Sequence, residues 1–324
     1  MGTEREIEIQ ERDLDILLGL FECRVMSLGH VSTLHFEGRS ESAKKRVQKL
    51  KASGLVRERA RAVGEPSLLH LTTKAFRVLR ESGKLDTFPA ITAKQMEKRT
   101  QVSGLTLRHE LEVMDVRAAF MSALRDAPGL SASEFSTWPA LYQFAAVHAS
   151  EIFGRRELTV KPDGFIRLRE ETGPDAFEHM FFLEVDRSTE TQDIIGQKAA
   201  CYLSFYQSGG MAIRFGGSRD DFRQFPFRVL MVFRNEERRN NAAERLLRNV
   251  PPVLTQVWLT TFPEVIENPL GAIWIRPKDY LEATRGTRFD PAASANSPLY
   301  RRQAERERLV AKTVPRLLLF ESGA

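Results

Sequence analysis

The run Phe227–Phe233, FRVLMVF, sets the tightest limit on what this chain can fold into. Seven residues with one arginine among apolar side chains form the kind of segment that lies buried in the centre of a sheet. Around it the sequence predicts strands at 133–137, 158–169 and 180–186, the last two joined as a hairpin by the polar turn 170–175. A helix at 190–207, closed by Gly209 and Gly210, follows; after the central run come a helix at 235–249 and short strands at Val257–Thr261 and 271–275. That order predicts an α/β fold, an αβ sandwich with a mixed central sheet.

At 324 residues the chain is long for one core and suits two domains. A hydrophobic fraction of 42% beside 28% charged residues excludes wholesale disorder. No stretch approaches the ~18 consecutive apolar residues needed to cross a bilayer. MGTEREIEIQ is too acidic and polar for a signal peptide, and Glu6 stands where a myristoylation motif needs Ser or Thr. Only Cys23 and Cys201 occur, each in an apolar helical context, which argues against a disulfide framework or a cysteine zinc site and fits a reducing cytoplasm. A metabolic enzyme finds no support, since no Gly-rich phosphate loop, nucleophile elbow or HExxH is present.

Charge is concentrated near the N-terminus. Nine basic residues against two acidic ones lie between Arg39 and Arg61, an excess of +7 where the whole chain carries +5. Leu14, Leu17, Phe21 and Val25 predict a helix at 11–26, and Val31 and Leu34 a short second one at 29–36. A third, capped by Ser40 or Ser42 and ending at Gly54, turns Ala43, Val47 and Leu50 inward and leaves Lys44, Lys45, Gln48 and Lys51 outward. Two strands follow, 55–57 and 68–71, turning through Gly64-Glu65-Pro66 and carrying Arg57, Arg59 and Arg61; Thr72 then caps a further helix. Three helices and a basic hairpin predict a winged helix-turn-helix domain over 1–85, with the third helix entering the major groove of double-stranded DNA and the wing on phosphate or the minor groove. Such domains also dimerise, so a homodimer stays open.

Residues 86–103 read as a connector, and 104–285 as the second domain. Its first helix, 105–124, has the stripe Leu107, Leu111, Met114, Ala118 and Met121, with His109, Glu112 and Asp115 on one flank. Asp163 sits at a proline-marked bend, and Glu184 and Asp186 alternate at the end of an apolar strand. A buried carboxylate is costly unless it is paired or holds a metal. Asp163 brought near Glu184 therefore reads as a site for Mg²⁺ or Mn²⁺, with a buried salt bridge to Arg187 or a solvated strand end as the alternatives. On the next helix Ile194, Cys201 and Phe205 predict a core stripe, and Lys198 falls on it, completing an acid–acid–lysine group in which an ammonium steadies charge on a phosphate. Gln197 and Tyr202, from the same helix, are candidates for contact with a phosphate backbone.

Pro162-Asp163 and Glu184 resemble the PD and second-acid elements of the PD-(D/E)xK nuclease superfamily. Asp186 holds the usual place of its lysine, and Lys198 corresponds to the helix-borne lysine of some members; Glu112 matches an additional helical acid. HELEVMDVRAAF (109–120), KPDGF (161–165), FFLEVDRSTE (181–190) and QKAACY (197–202) are similar to motifs of the replication-relaxation family of plasmids and mobile elements, over roughly 10–275. The resemblance implies a winged helix followed by a restriction-endonuclease-like αβ sandwich, and a role in plasmid replication and DNA relaxation. It implies Asp163, Glu184, Lys198 and Glu112 as catalytic residues, with the three acids as metal ligands. Arg187 and Glu190, inside the same motif, are candidates to pair with each other.

Beyond 285 a basic helix at 299–312 is expected, adding phosphate contacts or docking on the body of the protein. Three readings compete. One is a metal-dependent endonuclease or nickase, favoured by Asp163, Glu184 and Lys198. Another is a non-catalytic replication factor or transcriptional regulator with a degenerate nuclease-like domain, favoured by Asp186. The third is a protein adaptor, which predicts little salt-dependent DNA affinity.

Overall fold

Gln10 and Asp13 start the first helix reciprocally. The Gln10 amide donates to the Asp13 carboxylate at 2.8 Å, a capping box that launches α1 (Glu11–Cys23). The computed structural model describes residues 7–60, 66–150, 154–172, 175–188, 190–284 and 316–320. Arg61 and the predicted helix at 299–312 lie outside the described residues. After α1 come β1 (Met26–Ser27), α2 (Leu28–His35), capped by the Ser27 hydroxyl, and α3 (Ser40–Ala52). Ala43, Val47 and Leu50 of α3 are buried on the predicted stripe. Gly54, at φ 71°, makes the left-handed turn into β2 (Val56–Glu58), followed by β3 (Leu68–Leu71). β3 pairs antiparallel with β2 and also with β1, a strand too short to leave a sequence signal. Thr72 caps α4 (Thr73–Glu81), its hydroxyl accepting from the Ala75 amide at 3.2 Å.

The chain forms two compact units, residues 1–128 with 135–141, and residues 129–134 with 142–324. This moves the border read from the sequence. Residues 86–103 hold α5 (Ala93–Thr100), whose Met96 joins the N-terminal core. α6 (Gly104–Arg125), expected to open the second domain, packs in the first: Met114 lies in that same core. Polar ties hold it there, with Arg117 on Glu22 of α1 at 2.8 Å, Asp115 on His30 of α2 at 2.7 Å, and Arg125 donating to the Thr33 carbonyl at 2.7 Å. A helix with an apolar stripe goes to whichever core completes it, and no single-sequence pattern names that core.

The elements from residue 130 onward, of which 135–141 count with the first unit, build a five-stranded sheet and a two-stranded one. β4 (Leu130–Ser136), α7 (Pro139–Tyr142), β5 (Phe144–Ser150), β6 (Gly154–Val160), β7 (Gly164–Thr172), β8 (Asp175–Asp186), α8 (Gln192–Gln207) and α9 (Gly210–Arg214) follow in order. β9 (Phe227–Phe233), α10 (Glu236–Leu247), β10 (Val257–Thr261), α11 (Phe262–Glu267) and α12 (Pro277–Thr284) complete it. The five-stranded sheet has the order β10-β9-β8-β7-β4. β9 is an interior strand, parallel to both its neighbours β8 and β10, while β7 runs antiparallel to β8, so the sheet is mixed. That position accounts for FRVLMVF: every residue of β9 but Arg228 is buried.

Three expectations change. The segment 158–169 is two strands, because Pro162 has no amide to give a ladder and the chain breaks between β6 and β7. β6 pairs with β5 in a separate two-stranded sheet instead of continuing into the main one. Residues 271–275 form only isolated bridges, Ile275 to Leu259 and Trp274 to Leu317. At Gly209, φ is 75° and an added Cβ would lie 2.6 Å from the Arg219 backbone. Gly209→Ala is therefore expected to destabilise the C-terminal unit by at least ~1–3 kcal/mol in urea unfolding; an unchanged midpoint would show that the turn relaxes freely.

Candidate functional site

Asp163 stands just before β7, opposite the end of β8. Its amide donates to the Leu183 carbonyl at 3.0 Å, and its Oδ2 accepts from the Val185 amide at 2.8 Å. The backbone of β8 thus holds Asp163 on either side of Glu184, its amide at Leu183 and its carboxylate at Val185. Glu184 is buried, with Oε1 accepting from the Tyr202 hydroxyl at 2.7 Å and Oε2 from Lys198 Nζ at 3.0 Å. Burial pushes the Glu184 carboxyl up to about 7, with Asp163 adding to the rise and the Lys198 ammonium opposing it. For Lys198, burial favours loss of the proton, but Glu184, Glu190 and Asp163 outweigh it and hold the ammonium above its ordinary value. Asp163, Glu184 and Lys198 are therefore brought together as the sequence spacing anticipates.

The helix that supplies the lysine is rotated slightly from the expected stripe. Ile195, Ala199, Tyr202 and Phe205 face the core, and Ile194 is exposed. The rotation leaves Lys198 at the edge of the core, 28% exposed. It also buries Tyr202 completely, so this phenol props Glu184 and is in no position to meet a phosphate backbone. Gln197 is half-buried on the same helix.

Two partners escape sequence reading. Glu190 pairs with Lys198 at 2.8 Å. Arg238 of α10 grips Asp186 through Nε at 2.7 Å and Nη2 at 3.2 Å, and also donates to the Glu190 carbonyl. Asp186 is thereby neutralised 52 residues away in sequence. A cavity of about 20 Å³ beside Glu184, Glu190 and Lys198 has room for roughly one water.

Glu112, read from the sequence as a further ligand, lies on α6 and belongs to the N-terminal unit. Among the described residues no group of three His, Cys, Asp or Glu could hold a metal ion. The donor set that does assemble, one carboxylate just before β7 and one on β8, fits a hard cation such as Mg²⁺ that takes one or two protein carboxylates and completes its shell with water and phosphate oxygens.

In the N-terminal unit, Lys44, Lys45 and Gln48 are exposed on α3, and Arg57 is exposed on β2. Lys51 pairs with Glu58, and Arg59 donates to the Val102 carbonyl at 2.7 Å. Arg46 turns away from the outer face to Asp13. Cys23 and Cys201 are both buried. Among the described residues no helix is long and apolar enough to cross a membrane.

A family model described as replication-relaxation matches residues 17–217, more than half of the chain and part of both units. No curated protein and no solved structure matches it.

Proposed function

The chain belongs to the replication-relaxation family, and from that premise we propose that it serves replication as a DNA-binding, metal-dependent phosphodiesterase, an endonuclease or nickase. In this reading the N-terminal unit is a winged helix-turn-helix that carries the protein to double-stranded DNA, and the C-terminal unit is the PD-(D/E)xK-like nuclease. The observation that carries it is the convergence of Lys198 on Glu184 beside Asp163. A lysine supplied by α8 removes the need for one at position 186, whose aspartate is neutralised by Arg238.

Asp163 and Glu184 would hold Mg²⁺ or Mn²⁺, which when bound polarises a phosphate oxygen and makes water a better nucleophile. The remaining work falls to the chain's own side chains. Tyr202 and the β8 backbone fix the two carboxylates before substrate arrives, so these two groups need no reorganisation at the moment of reaction. Lys198 presents a fixed positive charge to the oxygen on which negative charge grows, once Glu190 yields its place to the phosphate. Glu190 on that ammonium equally favours the second reading, a replication factor that binds DNA without cutting it.

Supercoiled plasmid incubated with the protein and Mg²⁺ or Mn²⁺ separates them. Nicked or linear product from the wild type, and none from Asp163→Ala, is the expected result. Plasmid shifted on the gel but uncut by either would replace the nuclease reading with the binding one.

The DNA-binding half has its own test. Lys44→Glu with Lys45→Glu is expected to weaken duplex binding and to lower the slope of log affinity against log salt by roughly 1 for each phosphate no longer neutralised. Fluorescence anisotropy across a salt series measures both, and an unchanged slope would remove α3 from the interface.

A further inference from the structure

A groove of about 620 Å³ opens in the N-terminal unit between the β2–β3 pair, the start of α4 and the end of α5. Arg57 and His70 are cross-strand partners, and Arg59, just past the end of β2 with its amide still bonded to the Leu68 carbonyl, shares their face. All three line the groove, together with Lys74 from the first turn of α4. Opposing them, the described lining holds a single acid, Glu97 of α5. Glu58, between the two arginines, alternates to the other face, where it binds Lys51 and the Ser67 hydroxyl. The Val102 carbonyl that fixes Arg59 is neutral, so it positions the guanidinium without cancelling its charge.

Like charges set directly opposite in a sheet repel, and here burial together with Arg57 and Arg59 holds His70 below its ordinary pKa. The amide dipoles opening α4 add potential of the same sign. Arg57 is exposed to solvent and Arg59 is half-buried, so two guanidinium forks, the geometry that matches phosphate oxygens, meet one concave wall. None of the α3 residues assigned to the major groove takes part.

We infer that this groove is a phosphate-binding site, filled by a phosphate of the DNA backbone or of a free nucleotide. The backbone source rests on the DNA-binding reading above; the nucleotide source does not.

The test is an NMR titration of the His70 imidazole in the full chain, repeated with inorganic phosphate, with thymidine monophosphate and with a duplex oligonucleotide. A dianion seated beside the ring is expected to raise the His70 pKa by about 1. Arg57→Gln and Lys74→Gln are each expected to weaken that ligand roughly tenfold. A rise with phosphate and nucleotide assigns the groove to a free ligand, and a rise with duplex alone assigns it to the DNA backbone. If His70 ignores all three while duplex still binds through Lys44 and Lys45, the groove proposal is overturned and the DNA-binding reading stands. If duplex fails to bind at all but nucleotide moves His70, the DNA-binding reading falls and the site stands.

Discussion

Replacing Lys198 by methionine is expected to abolish plasmid cleavage, by at least ~10²–10³ in rate, while leaving duplex binding by the N-terminal unit unchanged. The ammonium lies 3.0 Å from Glu184 and 2.8 Å from Glu190, and its departure removes the cation paired with Glu184. Methionine keeps the length and the apolar stem that packs at the edge of α8, so the loss isolates the charge. Glu184, already pushed toward its neutral form by burial, would lose the partner that opposes that push. Because an unpaired buried carboxylate also lowers stability, the melting temperature is measured beside the rate. Glu190→Gln serves as the companion variant, since it frees the lysine without unpairing Glu184 and is expected to cut at least as fast as the wild type. Cleavage by Lys198→Met within a few-fold of the wild type, with the fold intact, would reduce the lysine to a structural counter-ion.

Arg46→Met is expected to cost about 3–5 kcal/mol in the unfolding of the N-terminal unit. Asp13 is wholly buried, and Arg46 Nε reaches its Oδ1 at 2.7 Å from α3. The hydrogen bond to Asp13 holds the guanidinium above its ordinary pKa, and the Gln10 amide takes part of the same carboxylate. Without the arginine a full negative charge stays in the core facing one amide. The double variant Asp13→Leu with Arg46→Met should recover most of the loss, because an apolar pair of similar volume replaces a costly ion pair. Urea denaturation followed by tryptophan fluorescence and circular dichroism measures both. A loss under ~1 kcal/mol for the single variant would place the pair among ordinary surface bridges.

What is legible in the sequence follows periodicity. Ala43, Val47 and Leu50 mark the inner face of α3, and FRVLMVF delivers β9 residue for residue, because a helix stripe and an apolar run are local signals. Thr72 and Gly54 are readable for the same reason, each acting within a few residues of itself. The separate β5–β6 hairpin is not, since FAAVHAS is too weakly alternating to read as a strand. The stripe of α8 reads through Ile194 where the fold buries Ile195, a one-residue error that a helix with apolar residues at both positions permits. At the candidate site Asp163, Glu184 and Lys198 can be found because two strands and a helix adjoin in sequence. Arg238, 52 residues from Asp186, cannot. Nor can the allegiance of α6, and with it Glu112, be found, because its stripe fits either core equally well.

The border between the two units has a consequence for how such a chain can be inherited. The polypeptide enters the second unit at residue 129, returns to the first over 135–141, and leaves it again at 142. A single cut anywhere in that stretch hands each fragment a piece of the other, so recombination at this joint yields two incomplete folds instead of two portable modules. Selection would then keep the halves as one heritable cassette, and the family match crosses the joint without interruption from 17 to 217. Splitting the protein for laboratory use meets the same obstacle: a clean separation calls for circular permutation or grafting of 135–141, and a stop codon at 103 or 128 does not achieve it.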